Sequence, residues 1–177
     1  KGIKSYRNSQ LIFIDTPGLY FNKGKTNRNF LREIWNAISE ADFVCLVIDS
    51  SRPISNNIYQ LLEQINFKNK LKKRLVLVLN KIDIVKKEKL LIMVKEINQK
   101  FDFDQIFMIS ALKNDGIEDL LDWFSLNLSE KKWLYPSNII SDQRFDEQLN
   151  EKTREIILLR IHDEIPYNIE VLSDRII

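Results

Sequence analysis

Short apolar runs alternate with longer amphipathic stretches along most of the chain. The apolar runs have the length of strands and are continuously hydrophobic, which is typical of parallel strands that are covered on both faces. The runs are Leu11–Asp15, Phe43–Asp49, Leu75–Asn80 and Ile106–Ser110, and the helical stretches are Asn29–Ser39, Asn57–Phe67, Glu88–Phe101 and Ile117–Leu128. This alternation predicts an α/β fold, a three-layer sandwich around a mostly parallel sheet with right-handed crossovers.

The pattern changes after residue 128. Residues 129–142 contain the run Trp133-Leu134-Tyr135-Pro136, which indicates a linker with aromatic anchors. Ser141 or Asp142 can cap a long helix over Arg144–Asp163, because short polar side chains accept hydrogen bonds from the first free N–H groups of a helix.

The last residues indicate the start of another unit. Pro166 ends the predicted helix, and residues 167–171 alternate in polarity like a first strand. We therefore predict one domain over residues 1–128, a linker over 129–142 and an incomplete second domain over 143–177.

Composition and charge narrow the class of protein. Hydrophobic residues make up 44% of the 177 residues and charged residues 29%, the balance of a soluble globular protein. The net charge of +2 is too small to indicate nucleic-acid binding by itself, and the local lysine runs are expected to be solvated. The only cysteine, Cys45, lies inside an apolar run, so we expect a small buried hydrophobe, no disulfide and a reducing compartment. No signal peptide or membrane-length apolar stretch is visible, and both ends of the sequence look cut.

Candidate chemistry lies at the carboxyl ends of the predicted strands, where α/β sheets bind ligands. The third strand ends in Asn80-Lys81-Ile82-Asp83. A carboxylate at Asp83 can accept hydrogen bonds from both the ring N–H and the exocyclic amino group of guanine, a pair of donors that adenine does not have. Asn80 can hold the loop and reach the base edge, while the Lys81 stem covers the ring face. Ser110-Ala111, after the fourth strand, can offer a backbone N–H to the guanine oxygen. An ordinary strand-to-loop turn is the alternative for any one of these segments.

The end of the first strand suits the phosphate side of a nucleotide. Asp15 of the run Asp15-Thr16-Pro17-Gly18 can hold Mg²⁺ through water, and the Gly18 N–H can approach a γ-phosphate. The loop that follows would order with GTP. Leu19 stands where some GTPases carry a glutamine that orients water, so slow hydrolysis is expected.

One expected element is absent from the sequence. A phosphate-binding loop needs G-x-x-x-x-G-K-[ST] between a strand and a helix. Gly24-Lys25-Thr26 matches only in part, since Leu19 replaces the first glycine, and we interpret it as a chance match. His162, the only histidine, has no cysteine or second histidine near it, so we expect a structural role.

Together these segments resemble a known family. The runs Asp15-Thr16-Pro17-Gly18-Leu19, Asn80-Lys81-Ile82-Asp83 and Ser110-Ala111-Leu112 are similar to the third, fourth and fifth motifs of the translation-factor class of P-loop GTPases. The later segments resemble the Era family, in which they join the GTPase domain to an RNA-binding KH domain; they are Trp133-Leu134-Tyr135-Pro136, Ser141-Asp142, Arg154-Glu155 and His162-Asp163-Glu164-Ile165-Pro166-Tyr167.

The resemblance implies a GTPase that binds GTP or GDP with Mg²⁺, hydrolyses GTP slowly and acts in assembly of the small ribosomal subunit and maturation of its 16S rRNA. It implies nucleotide contacts by Asn80, Lys81, Asp83 and the run Ser110-Ala111-Leu112. A cytoplasmic location, with peripheral association with the inner membrane, follows from the same resemblance.

The resemblance also implies what the sequence lacks. The first strand of the family, which carries the phosphate loop, lies centrally between the strands that end at Asp15 and Asp49, so apolar strand edges would lack partners. We expect the chain alone neither to bind GTP tightly nor to hydrolyse it measurably. The alternatives are a non-enzymatic remnant that keeps the fold and the guanine motifs, and a stand-alone RNA-binding module.

Overall fold

The computed structural model describes residues 1–16, 28–68, 73–160 and 171–173. Its strands are β1 (Gly2–Tyr6), β2 (Ser9–Phe13), β3 (Phe43–Asp49), β4 (Arg74–Asn80) and β5 (Gln105–Met108). Its helices are α1 (Arg28–Glu40), α2 (Asn56–Lys68), α3 (Lys87–Asn98), α4 (Ile117–Asn127) and α5 (Phe145–Arg160), with one turn of 3-10 helix at Ile82–Ile84. The predicted α/β fold is confirmed, and the predicted helix Glu88–Phe101 ends earlier, at Asn98.

Strands β3, β4 and β5 form a parallel sheet in that order. The central strand β4 is covered on both faces, since every side chain from Leu75 to Leu79 is buried. The edge strand β3 is different, because Cys45 is exposed and Val47 is 59% exposed. The prediction that Cys45 is buried was therefore wrong: a continuous apolar run does not reveal which strand lies at an edge of the described sheet.

Helices cover the two faces of this sheet unequally. On one face, α1, α2 and α3 pack against alternate residues of β3 and β4, with Leu62, Leu77, Leu79 and Ile97 fully buried. On the other face, α4 packs through Leu120, Leu121 and Phe124 against Val76 and Val78 of β4. Trp123 contacts the rings of Phe43 and Phe107, so it anchors α4 to the sheet as an aromatic core residue. The arrangement confirms three layers.

Strands β1 and β2 form an antiparallel hairpin, which sequence analysis missed. The predicted parallel strand Leu11–Asp15 is instead β2, which begins at Ser9 and pairs with β1 from Gly2↔Phe13 to Tyr6↔Ser9. Arg7 makes the tight turn in the left-handed region, with φ of 50°. The error has a simple origin: β1 contains few apolar residues, so its sequence carries no apolar run. Within the described residues the hairpin is a sheet separate from β3-β4-β5.

The hairpin is held against α4 by polar contacts. Asp122 of α4 accepts hydrogen bonds from Tyr6 Oη and from Arg7, whose guanidinium nitrogen lies 2.7 Å from the carboxylate. Ser9 Oγ lies 2.9 Å from Ser125 Oγ. Leu11 is buried in the core beneath α4. These contacts fix β2, and therefore the position from which Asp15 and Thr16 leave the hairpin.

The predicted linker lies along the hairpin. Gln10 Nε2 donates to the carbonyl of Tyr135 at 2.8 Å, and Gln10 Oε1 accepts from the N–H groups of Leu134 and Tyr135, both at 3.0 Å. Further along, the Ile3 N–H of β1 donates to the Ile140 carbonyl at 2.8 Å. One amide side chain and the outer edge of β1 thus hold a segment that has little regular structure.

Replacing this amide tests how much of the docking depends on it. We expect Gln10→Ala to speed amide hydrogen exchange at Leu134 and Tyr135 by about tenfold, because losing these bonds costs on the order of 1–2 kcal/mol of local stability. The matched variant Gln10→Glu keeps an acceptor for both N–H groups but turns the donor to the Tyr135 carbonyl into an oxygen, so its protection should lie between those of wild type and Gln10→Ala. Equal exchange in wild type and Gln10→Ala would show that other contacts hold the segment.

Helix α5 is not capped by the residues that the sequence predicted. Phe145 is its first residue, which puts Arg144 at the N-cap position, and the Glu147 carboxylate accepts a hydrogen bond from the Arg144 N–H at 3.2 Å. Ser141 instead accepts from the Gln143 N–H before the helix, so neither Ser141 nor Asp142 is the cap. The predicted helix end at Asp163, together with His162, lies outside the described residues. Among the helices that the structure describes, none is long and apolar enough to cross a membrane.

Candidate functional site

Asn80 joins three loops at the carboxyl edge of the parallel sheet. Its backbone carbonyl accepts hydrogen bonds from the N–H and the Oγ of Ser50, the residue after β3, at 3.0 and 2.6 Å. Its side-chain Oδ1 accepts from the N–H of Lys81 at 2.7 Å and from the N–H of Ala111 at 3.0 Å. The ends of β3, β4 and β5 are therefore tied through one residue.

The segment after Asn80 presents a carboxylate to solvent. Lys81 takes the left-handed conformation with φ of 67°, and the 3-10 turn Ile82–Ile84 follows it. The Ile82 N–H donates to the Ile109 carbonyl at 3.2 Å, which holds this turn against the neighbouring strand. Asp83 is exposed, and the contacts of the described residues leave its carboxylate unpaired. An unpaired carboxylate on a turn whose backbone is held in place is the arrangement that a two-donor ligand edge requires.

The loop after β5 is closed on itself. Ser110 is fully buried, and it exchanges backbone hydrogen bonds with Asp115 at 3.0 and 3.1 Å. Ser110 Oγ accepts from the Lys113 N–H at 3.2 Å. Leu112, at the outer bend of this loop, is 85% exposed. Gly116 ends the loop in the left-handed region, with φ of 69°, and α4 begins at the next residue.

The backbone N–H groups of Ser110 and Ala111 are already engaged. The Ser110 N–H is bonded to Asp115, and the Ala111 N–H is bonded to Asn80 Oδ1. A guanine oxygen that bound the Ala111 N–H would replace or share the Asn80 oxygen, an exchange of one acceptor for another. Donation of a hydrogen bond from Ser110-Ala111 to a base stays a prediction. In the structure Asn80 Oδ1 would compete with the base for the Ala111 N–H.

The predicted phosphate and metal residues lie elsewhere in the chain. Asp15 and Thr16 are exposed and follow the end of β2, while Pro17, Gly18, Leu19 and the run Gly24-Lys25-Thr26 lie outside the described residues. No group of three or more His, Cys, Asp or Glu side chains in the described part of the chain could hold a metal ion. Mg²⁺ bound with a nucleotide takes one or two carboxylates and completes its shell with phosphate oxygens and water, so Asp15 alone fits that donor set.

Sequence reasoning passed over the end of β3. Ser50 is fully buried and supplies both hydrogen bonds to the Asn80 carbonyl, and Asp49 forms an ion pair with Lys81 at 2.9 Å. The signal was present as the polar triplet Asp49-Ser50-Ser51, which directly follows an apolar run. A polar strand end at the ligand edge of an α/β sheet is a candidate binding segment, as the other strand ends are.

Comparison with known proteins agrees with this geometry. The family described as the elongation factor Tu GTP binding domain matches residues 3–130, which include all the strand-end segments described above. GTPase Era of Agrobacterium fabrum is 37% identical over 175 residues, covering 99% of this chain and 54% of the relative. GTPase Era of Sinorhizobium medicae is also 37% identical, covering 99% of this chain and 56% of the relative. The chain thus spans about half the length of the curated relatives it matches.

Solved structures place the fold in the same group. A crystal structure of Aquifex aeolicus Era bound to GDP.AlF4- superposes with a TM-score of 0.76 at 28% identity, over 93% of this chain and 56% of that one. Era in complex with MgGDPNP and nucleotides 1506–1542 of 16S ribosomal RNA superposes with a TM-score of 0.74 and the same coverage. The chain belongs to the family of the elongation factor Tu GTP-binding domain, and within it to the Era-type GTPases.

Proposed function

We propose that the protein to which these residues belong binds GTP with Mg²⁺, hydrolyses it slowly, and acts in assembly of the small ribosomal subunit and maturation of 16S rRNA. The observation that carries the nucleotide part is the tie between Asn80 Oδ1 and the Ala111 N–H, which brings the two base-recognition loops side by side. The Era structure that contains MgGDPNP and a 16S rRNA segment supports the cofactor and the RNA partner.

The roles divide between two parts of the chain. Asp83 reads the two donors of guanine, the Lys81 stem covers the ring, and the loop from Ser110 to Leu112 lies beside the base. Asp15 would hold Mg²⁺ through water at the phosphate side, where the bound metal would neutralise phosphate charge.

The domain division also belongs to the proposal. Residues 1–128 form the nucleotide domain, 129–142 the linker and 143–177 the start of a KH-type RNA-binding domain. Helix α5 supports this division, because Phe145, Leu149 and Ile156 are 65%, 41% and 45% exposed on one stripe of the helix, and an apolar stripe of this kind calls for a further packing layer. We place the protein in the cytoplasm.

The 177 residues alone are expected to bind GTP weakly. They contain no G-x-x-x-x-G-K-[ST], the backbone cradle and lysine that hold the β- and γ-phosphates. Titration of this chain with fluorescent GTP should therefore show no saturation at micromolar concentrations. Saturable micromolar binding would contradict this expectation.

The control is the same chain extended through its upstream coding sequence. If that sequence supplies the phosphate loop in frame, on the order of forty residues before Lys1, the extended protein should bind GTP and discriminate against ATP. A stop codon or frameshift upstream, or an extended protein that binds neither nucleotide, would refute the GTPase proposal and favour a non-enzymatic remnant.

A further inference from the structure

Lys81 lies across the carboxyl edge of the sheet towards β3. It follows β4 directly, and its Nζ reaches Oδ2 of Asp49, the last residue of β3, at 2.9 Å. Because β3 and β5 flank β4 on opposite sides, the lysine side chain extends away from the loop that contains Ala111. Its four-methylene stem therefore runs from the end of β4 towards the end of β3.

The carboxylate that receives Lys81 is itself fixed. Asp49 Oδ1 accepts hydrogen bonds from the backbone N–H of Ser51 at 3.0 Å and from the Ser51 hydroxyl. Oδ2 lies 2.9 Å from Lys81 Nζ and 3.7 Å from the exposed Arg52 guanidinium, so the lysine is its closer partner. The hydrogen bonds from Ser51 and Lys81 lower the pKa of Asp49 to about 2, so the group is charged throughout the physiological range. The neighbouring residue Ser50 is fully buried and bonded to Asn80, which anchors this turn to β4.

An ordered lysine matters for a flat ligand. A free lysine side chain samples many rotamers, and ordering it costs conformational entropy. A side chain that is already ordered in the free protein no longer adds this cost to ligand binding. The Lys81 side chain is half exposed, so an ion pair of this kind contributes little to folding stability and its geometry is the more informative property.

We propose that Asp49 is a positioning residue for guanine-nucleotide binding, which holds the Lys81 stem in the orientation that covers the face of the base. The inference rests on the proposed function, because it assigns Asp49 a role only through Lys81. Asp49 does not touch the nucleotide, and its effect on affinity passes through the lysine.

A double-mutant cycle on the complete protein tests this role, with GDP as the probe. Asp49→Asn should raise the Kd for GDP by about three- to fivefold, the range for an exposed ion pair, and the increase should shrink at high salt. In a Lys81→Met background the same Asp49→Asn change should have no further effect, because the residue through which it acts is gone. A purely structural role in the β3 turn would instead raise the Kd equally in both backgrounds.

Asp42→Asn is the matched control. Asp42 precedes β3 at the amino ends of the strands, away from the proposed site, and forms an ion pair with Lys131 at 2.9 Å. This variant therefore removes an equal charge and an ion pair of equal length. Its Kd for GDP should equal that of wild type. An equal increase in Asp42→Asn and Asp49→Asn would overturn the positioning role and indicate a general charge effect.

The outcomes separate this inference from the proposed function. Wild-type protein that binds GDP no better than ADP would refute the function itself. Wild-type protein that prefers GDP, together with an unchanged Kd in Asp49→Asn, or with the same increase in the Lys81→Met background, would refute only the role of Asp49.

Discussion

Asp83→Asn in the complete protein is expected to weaken GDP binding by about a hundredfold or more and to create a preference for xanthine nucleotides. The aspartate accepts two hydrogen bonds from guanine, and each hydrogen bond to a charged group contributes about 1.5–3 kcal/mol. Asparagine offers one acceptor and one donor. Xanthine carries an oxygen where guanine has its amino group, so its edge matches that pair.

The structure makes this variant unlike most substitutions in a binding site. Asp83 is exposed and its carboxylate has no partner among the described residues, so removing its charge breaks no internal contact there. The unfolding temperature should stay at the wild-type value while the base preference changes. Competition of GDP and XDP against a fluorescent nucleotide measures that preference directly.

Glu88→Gln is the control for loss of a nearby negative charge. Glu88 is exposed in the first turn of α3 and is not part of the proposed site. This variant should keep the wild-type preference for guanine. A guanine preference that survives in Asp83→Asn would refute the assignment of Asp83 as the base-reading residue.

Sequence analysis located the elements whose own residues determine their structure. The run Phe43–Asp49 coincides with β3, and Leu75–Asn80 differs from β4 by one residue, because parallel strands are continuous apolar runs that can be recognised locally. The hairpin strand β1 could not be found in the same way. Its residues Gly2–Tyr6 carry a mixed pattern, and their strand structure depends on pairing with β2 and on contacts with residues of the linker.

The candidate site was predictable to a similar extent. Asn80-Lys81-Ile82-Asp83 is contiguous and follows a strand, so its chemistry could be inferred without the fold. The contacts of Asp49 with Lys81 and of Asn80 with Ala111 join residues about thirty positions apart, as their separations of 32 and 31 show. Such pairs depend on strand order and register, which local patterns do not specify.

Gly116→Ala is expected to destabilise the fold by on the order of 3 kcal/mol, the largest stability effect that we predict. A Cβ at this position would lie 2.7 Å from the backbone oxygen of Met108 and 3.2 Å from the Ile109 side chain. The oxygen belongs to β5 and cannot move as a flexible side chain would. The left-handed φ of 69° adds strain for any residue with a Cβ. Chemical denaturation of the two proteins measures the difference in free energy of unfolding.

Gly2→Ala provides the matched control, because it makes the same chemical change where there is room for it. A Cβ on Gly2 would meet no atom within 4 Å, so its stability should change by less than about 0.5 kcal/mol. If both variants unfold at the same denaturant concentration as wild type, the close approach of Gly116 to β5 does not limit the fold. If only Gly116→Ala is destabilised, the complete protein carrying it should also bind GDP more weakly, because Gly116 closes the loop that begins at Ser110 and Ala111 and is tied to Asn80. In that case helix α4 can begin directly behind the base-recognition loop only because residue 116 is a glycine.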